Sequence, residues 1–136
     1  MMLRHHLGLG GLLALIACAG PTAPDPTIGI TVFPHPGYGG GFFNITVDYR
    51  DLGTQANTAV GNWCCVPGTE ARPGCIIDCI SSIRVAPGWR AIVYPQAHFL
   101  GGGLEVTADI PDLSAVGGPC DGTFNDCIRS VQIRRP

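Results

Sequence analysis

The chain of 136 residues contains no lysine, and only 13% of its residues are charged. Globular proteins average about 25% charged residues. Coiled coils, helical bundles and charge-driven disordered tails need many more Glu, Lys and Arg, so the composition excludes these classes. The formal net charge is −2, and there is no polybasic segment that could grip phosphates. We therefore expect no nucleic-acid partner.

Motifs of catalysis and nucleotide binding are also missing. The sequence has no Gly-x-Ser-x-Gly, no His-Glu-x-x-His and no phosphate-binding glycine loop. The glycine runs at 39–41 and 101–103 precede strand patterns, whereas a nucleotide site needs a helix there. His35 and His98 fall in predicted bends and are interpreted as surface residues. We expect no enzyme activity, because no nucleophile, base and orienting group can be nominated.

No apolar run is long enough to span a bilayer. The run Leu7–Ile16 covers about half of the roughly 20 residues that a span requires. It follows a short polar head and has the three-part pattern of an export signal. The sequence Leu15-Ile16-Ala17-Cys18 resembles the lipobox of bacterial lipoproteins. This resemblance implies removal of residues 1–17, lipid attachment to Cys18 and, with Ala19 following, sorting to the outer membrane.

The alternative for this segment is an ordinary signal peptide that is cut near Ala19 or Gly20, which would give a secreted protein. In both cases the product is exported. The proline-rich residues 18–27 then predict an extended tether ahead of a domain at 28–136. The membrane is expected as a partner through the lipid anchor alone.

Apart from Cys18, six cysteines remain in the exported product. An even number of cysteines in an exported protein indicates disulfides. A zinc site is the weaker hypothesis for these cysteines, because no Cys-x-x-Cys pair is present. Six cysteines allow 15 pairings. The six are Cys64, Cys65, Cys75, Cys79, Cys120 and Cys127.

The chain repeats itself. A shift of 61 positions aligns residues 30–52 with 91–113, and a shift of 48 aligns Asp78-Cys79-Ile80 with Asp126-Cys127-Ile128. The first copy therefore holds about 13 extra residues, and the Gly53–Gly74 segment is the natural place for them. Period-two apolar patterns predict short strands with one buried face, separated by bends rich in Gly and Pro. The residues of these patterns are Ile28, Ile30 and Val32, then Phe43, Ile45 and Val47, then 80–85, with Ala91, Val93, Leu104, Val106 and 128–133 in the second copy.

Each copy also contains an aromatic residue, four residues, a second aromatic residue, any residue and a glycine. These are Phe33, Tyr38 and Gly40, then Tyr94, Phe99 and Gly101. The pattern resembles the folded hairpin of the βγ-crystallin Greek key. The resemblance covers about residues 27–136 and implies an all-β sandwich of two Greek keys, stabilised here by disulfides. The first key is expected at 28–86 and the second key at 87–136.

Both keys end in a segment that resembles the calcium motif of this family, (Asn/Asp)-(Asn/Asp)-x-x-(Ser/Thr)-Ser. The first copy has Ile77 at the first position, and the second copy has Arg129 at the hydroxyl position. In the family, each site combines a hydroxyl from one key with an acidic or amide side chain from the other. The candidate metal ligands are Ser81, Asn125, Asp126 and Asp78.

The resemblance implies one nearly complete calcium site, formed by Ser81 with Asn125 and Asp126. In the other site Arg129 would replace the metal and pair with Asp78. The competing hypothesis is that neither site binds and that disulfides have taken over the stabilising role. Repeat symmetry predicts the pair Cys120–Cys127, a bond from Cys79 to Cys64 or Cys65, and Cys75 with the cysteine left over.

We therefore expect a non-catalytic, structural or stress-related protein of the cell envelope that binds Ca²⁺ weakly at one site. The alternative is a disulfide-rich secreted inhibitor or binding module that uses the 53–74 loop and has no functional calcium site. The sequence names no protein partner for either.

Overall fold

The computed structural model describes residues 25–54 and 79–136 of the chain. Their regular structure is short antiparallel β-strands joined by turns of 3-10 helix. No helix in these two ranges has the length and apolar character needed to cross a bilayer. The strands are β1 Ile30–Phe33, β2 Phe43–Ile45, β3 Ser82–Val85, β4 Arg90–Tyr94, β5 Leu104–Val106, β6 Gly117–Cys120 and β7 Ser130–Arg134.

Two three-stranded sheets correspond to the two sequence copies. The first sheet has the order β2-β1-β3 and the second has the order β5-β4-β7, with every neighbour antiparallel. Ile30 lies opposite Ile45 and Val85, and Ala91 lies opposite Val106 and Ile133. The registers therefore follow the two shifts found in the sequence.

Each key contributes a segment to the sheet of the other key. Ile110 of the second key pairs with Ile83 on β3, and Tyr49 of the first key pairs with Val131 on β7. Each pair exchanges two backbone hydrogen bonds of 2.8–2.9 Å. Because the chain crosses between the sheets in both keys, neither sheet is complete without the other key.

The aromatic residues of the repeat close the folded hairpins. The ring of Tyr38 lies 5.6 Å from that of Phe33, and the ring of Phe99 lies 5.8 Å from that of Tyr94. Both second aromatics have positive φ, 64° at Tyr38 and 63° at Phe99. The residues predicted to cap the hairpins do so in both copies.

The repeated glycines, Gly40 and Gly101, are required by geometry. Their φ angles are +83° and +93°, in the left-handed region that side chains with a Cβ disfavour. A Cβ would lie 2.6 Å from Pro34 Cγ at Gly40 and 2.8 Å from Pro95 Cγ at Gly101. Both positions therefore disfavour a residue with a Cβ, by backbone conformation and by space.

A buried serine hydrogen-bonds each folded hairpin to its sheet. Ser82 Oγ donates to the carbonyl of His35 at 2.6 Å and accepts from the amide of Tyr38 at 3.0 Å. Ser130 makes the equivalent two bonds in the second key, at 2.5 and 3.0 Å. Both serines are 0% exposed.

The core lies between the two sheets and combines residues of both keys. Two residues expected on buried strand faces, Ile28 and Val47, are instead 50% and 52% exposed. At Gly29 the backbone takes φ +67° and leaves the strand, which removes Ile28 from the period-two pattern. β2 ends at Ile45, after which the chain crosses to the other sheet. The core residues with 0% exposure include Ile30, Val32, Ile45, Leu52, Ile80, Ile83, Ala91, Val93, Leu113, Ile128 and Val131.

The last residues of the predicted tether contact the domain. Asp25 accepts a hydrogen bond from Arg84 on β3, and the Arg84 guanidinium lies 4.4 Å from the ring centre of Tyr38. Cys18 and most of the 53–74 loop lie outside the described residues. The predictions that concern lipidation and an inhibitory loop therefore stay predictions.

Candidate metal-binding site

The end of the first key and the end of the second key meet at Ser81 and Asp126. Ser81 immediately precedes β3, and Asp126 lies in the turn ahead of β7. Ser81 Oγ donates to Asp126 Oδ1 at 3.4 Å, and the amide of Asp126 donates to the carbonyl of Ile80 at 3.1 Å. The structure thus brings together the hydroxyl and the carboxylate that the sequence proposed as partners.

Asn125 lies beside the same carboxylate. Its Nδ2 donates to Asp126 Oδ2 at 2.9 Å, so both carboxylate oxygens of Asp126 accept a hydrogen bond. The amide of Asn125 is itself held by Thr123 Oγ1 at 3.2 Å. Asn125 therefore orients the carboxylate and brings an amide oxygen to the same turn.

The environment of the pair is asymmetric. Ser81 is 4% exposed, whereas Asp126 is exposed to solvent. An ion that binds here would contact a buried hydroxyl on the protein side and a carboxylate on the solvent side. It could also keep water ligands, as bound calcium commonly does.

The donors fit a hard cation, although they form an incomplete set. Calcium ligands lie 2.3–2.6 Å from the ion, so two oxygens on one ion are separated by up to about 5 Å. The 3.4 Å between Ser81 Oγ and Asp126 Oδ1 falls within this limit. Within residues 25–54 and 79–136, no three His, Cys, Asp or Glu side chains gather in a way that could hold a metal. The site has one carboxylate and depends on hydroxyl, amide, carbonyl and water oxygens for the remaining ligands.

Arg129 occupies the position in the second key that Ser81 occupies in the first. The amide of Ser81 donates to the carbonyl of Phe33, and the amide of Arg129 donates in the same way to Tyr94, both at 2.8 Å. Arg129 Nε lies 3.6 Å from Asp51 Oδ1. Asp78, the predicted partner of Arg129, lies outside the described residues. The pair with Asp51 was not foreseen.

The predicted disulfide between Cys120 and Cys127 is confirmed, with a Cα–Cα distance of 5.7 Å. Cys79 is disulfide-bonded as well. The predicted partners of Cys79 are Cys64 or Cys65; these cysteines and Cys75 lie outside the described residues, so that pairing stays a prediction.

Two aspartates that occupy equivalent positions in the sequence repeat have structural functions near the site. Asp112 Oδ1 accepts hydrogen bonds from the hydroxyl and the amide of Ser114, which hold the pKa of Asp112 below its usual value. The next amide, that of Leu113, donates to the carbonyl of Ser81 at 2.9 Å. Asp51 accepts from the amide of Gly53 at 2.9 Å in the equivalent turn of the first key. Their alignment in the repeat was the signal that could have revealed this shared capping role.

No protein-family model matches the chain, and no curated protein matches it. Solved structures do match. A structure from work on the evolution of the eye-lens βγ-crystallin domain fold is 18% identical, with a TM-score of 0.60 over 85% of this chain and 95% of the other. A βγ-crystallin domain from Flavobacterium johnsoniae is 24% identical, with a TM-score of 0.54 over 78% of this chain and 93% of the other.

A double mutant of a βγ-crystallin domain from Clostridium beijerinckii is 28% identical, with a TM-score of 0.52 over 76% of this chain and 93% of the other. These likenesses, together with the two interlocked sheets, show that the chain has the βγ-crystallin domain fold. The fold class that the resemblance implied is confirmed.

Proposed function

We propose that this chain is a non-catalytic structural domain of the cell envelope that binds one Ca²⁺ weakly, at a site formed by Ser81, Asn125 and Asp126. The pattern of an export signal at the N-terminus and the lipobox-like sequence at Cys18 support placement in the envelope, with a lipid anchor. The fold is one of structural and binding modules, which supports a role without catalysis.

The observation that carries the proposal is the contact between Ser81 and Asp126 across the two keys. The two side chains are 45 positions apart in the sequence, and their oxygens lie 3.4 Å apart. A cation here would replace the weak hydroxyl–carboxylate hydrogen bond with two ion–oxygen bonds. It would therefore tie the end of the first key to the end of the second key.

Such an ion would stabilise the folded state by mass action. At 10 to 100 times its dissociation constant, a ligand that binds the native state alone adds about 1.4–2.7 kcal/mol to the free energy of unfolding. A single carboxylate among the ligands favours weak affinity, since calcium sites are tuned by the number of charged ligands. A site with a dissociation constant of about 10⁻⁴–10⁻³ M would be occupied in millimolar calcium.

The equivalent position in the second key favours one ion per chain. Arg129 carries a guanidinium where a hydroxyl ligand would stand, and the Asp51 carboxylate lies 3.6 Å from it. A fixed positive charge opposes a divalent cation, and a half-buried ion pair needs no metal. We propose that Arg129 supplies the cation of this second position.

Calorimetric titration of calcium into the oxidised full chain tests the proposal. We expect one site per chain for the wild type and no measurable binding for Ser81→Ala. Thr107→Ala removes an exposed hydroxyl after β5 and should bind as the wild type does. Absence of binding by the wild type would refute calcium binding, and unchanged binding by Ser81→Ala would refute the assignment of the site.

Arg129→Ser tests the asymmetry separately. It restores the hydroxyl of the motif and removes the positive charge, so the stoichiometry should rise from one to two. If the variant still binds one ion, Arg129 is not what prevents binding at the second position.

A further inference from the structure

The segment that presents Asn125 and Asp126 is a short loop, residues 120–127, whose ends are joined by the Cys120–Cys127 disulfide. Gly122 and Phe124 of the loop are held by residues at the start of β6 and directly before it, because the amide of Gly118 donates to the carbonyl of Gly122 at 3.1 Å and the amide of Phe124 donates to that of Val116 at 3.0 Å. Phe124 is 6% exposed and anchors the middle of the loop in the core.

The second half, which carries the ligands, has different anchors. Cys127 is 0% exposed and bonded to Cys120, while Asp126 before it is exposed. Asp126 contacts the first key through two hydrogen bonds, from its amide to Ile80 O at 3.1 Å and from Ser81 Oγ at 3.4 Å. The disulfide thus links Cys127, the residue after Asp126, to Cys120 at the end of β6.

The backbone of the loop is also in an uncommon conformation at two points. Asp121 and Asp126 have φ angles of +51° and +52°. Aspartate tolerates this left-handed region better than most residues, but it is not the conformation that a free chain prefers. Such conformations persist where the surrounding structure determines them, and they cluster at ligand sites.

We infer that the Cys120–Cys127 disulfide is a positioning element of the cation site, holding Asp126 in its left-handed conformation against Ser81; this inference rests on the proposed function. A closed loop that presents its ligand in the bound geometry avoids the ordering cost on binding. The disulfide therefore sets calcium affinity in addition to stabilising the fold.

The expected size of the effect follows from the population of the competent loop. If removal of the crosslink leaves the ligand-presenting conformation populated about one tenth of the time, the apparent Kd rises about tenfold. A disulfide that only stabilises the fold would lower the melting temperature equally with and without calcium. A positioning disulfide also reduces the rise in melting temperature that calcium produces.

The test compares the full chain with Cys120→Ala/Cys127→Ala, measuring the calcium Kd by calorimetry and the melting temperature with and without calcium. Asp121→Asn is the matched control, since it lies in the same loop, keeps a residue that accepts positive φ and changes one exposed charge. We expect about tenfold weaker binding for the double alanine variant and less than a twofold change for the control.

A second variant covers the case in which the double alanine chain does not fold. Insertion of two glycines between Gly122 and Thr123 keeps the disulfide and lengthens the loop, and it should also weaken binding severalfold. Wild-type affinity in either folded variant would overturn the inference. Failure of the wild type itself to bind calcium would instead refute the proposed function, so the two failures are distinguishable.

Discussion

Ser82 and Ser130, the last residues of the two calcium-motif copies, provide the sharpest test of the fold. Ser82 Oγ makes two hydrogen bonds to the folded hairpin, at 2.6 Å to the carbonyl of His35 and at 3.0 Å from the amide of Tyr38. Ser82→Ala removes both bonds and adds no bulk. The hairpin would then depend on its aromatic contact and its remaining backbone bonds.

The cost can be worked from these contacts. Each lost hydrogen bond contributes about 0.5–1.5 kcal/mol net, and a buried group left unpaired costs about 1–3 kcal/mol. Two lost bonds in the lower half of the net range give a total near 1.5 kcal/mol. For a domain of about 100 residues this corresponds to a fall in melting temperature of about 6–12 °C.

Equilibrium denaturation of the oxidised chain, followed by tryptophan fluorescence or circular dichroism, measures this loss. Ser130→Ala should cost the same amount, because Ser130 makes the equivalent bonds in the second key. The double variant should be additive within about 0.5 kcal/mol, since the two serines share no partner. Thr107→Ala, at an exposed position, is the control. A loss below about 0.5 kcal/mol for Ser82→Ala, the range of ordinary surface changes, would show that the two bonds do not hold the hairpin.

Three further predictions concern backbone, pH and sheet closure. Gly40→Ala should lower the free energy of unfolding by about 2–3 kcal/mol, because φ is +83° and a Cβ would clash with Pro34. Gly37→Ala, at φ +69° with open space around the Cβ, should lower it by about 1 kcal/mol. The urea midpoints of the two variants compare these losses. Burial and the Asp109 carboxylate raise the pKa of Tyr38. The folded state therefore favours the protonated phenol, and its contribution is present below the ordinary tyrosine pKa of about 10 and is lost as pH rises through the higher folded value. Tyr38→Phe should flatten the fall in melting temperature above about pH 10, and an unchanged slope would contradict this. Asp48→Ala removes the 2.7 Å bond that a β7 amide donates to its carboxylate and should cost about 1–2 kcal/mol by denaturation; a neutral result would show that water replaces the bond.

The repeat predicted the fold because the hairpin residues and the crossing segments obey the same two shifts. Asp48 and Asp109 illustrate this, since each carboxylate accepts from the last strand of the opposite sheet, at Ile133 and at Val85. Sequence alignment placed the two aspartates in register. Their role needs the exchange between sheets, which no local pattern reveals.

The candidate site was predicted in part for the same reason. Family resemblance and repeat symmetry placed Ser81 near Asp126, and the structure brings them together. The contact of Arg129 with Asp51 could not be read from the motif, because Asp51 belongs to the turn after the hairpin and reaches Arg129 only once the keys interlock. The prediction that Ile28 is buried was wrong for a local reason. Gly29, in the left-handed region, turns the chain so that Ile28 lies outside the strand.

The most direct test of the calcium site is a crystal structure of the oxidised chain grown with calcium chloride, with the ion identified by its anomalous signal. We predict one calcium per chain that contacts Ser81 Oγ and the Asp126 carboxylate, with the Arg129 guanidinium beside Asp51 at the equivalent position. No ion at Ser81, or an ion bound beside Arg129, would contradict it.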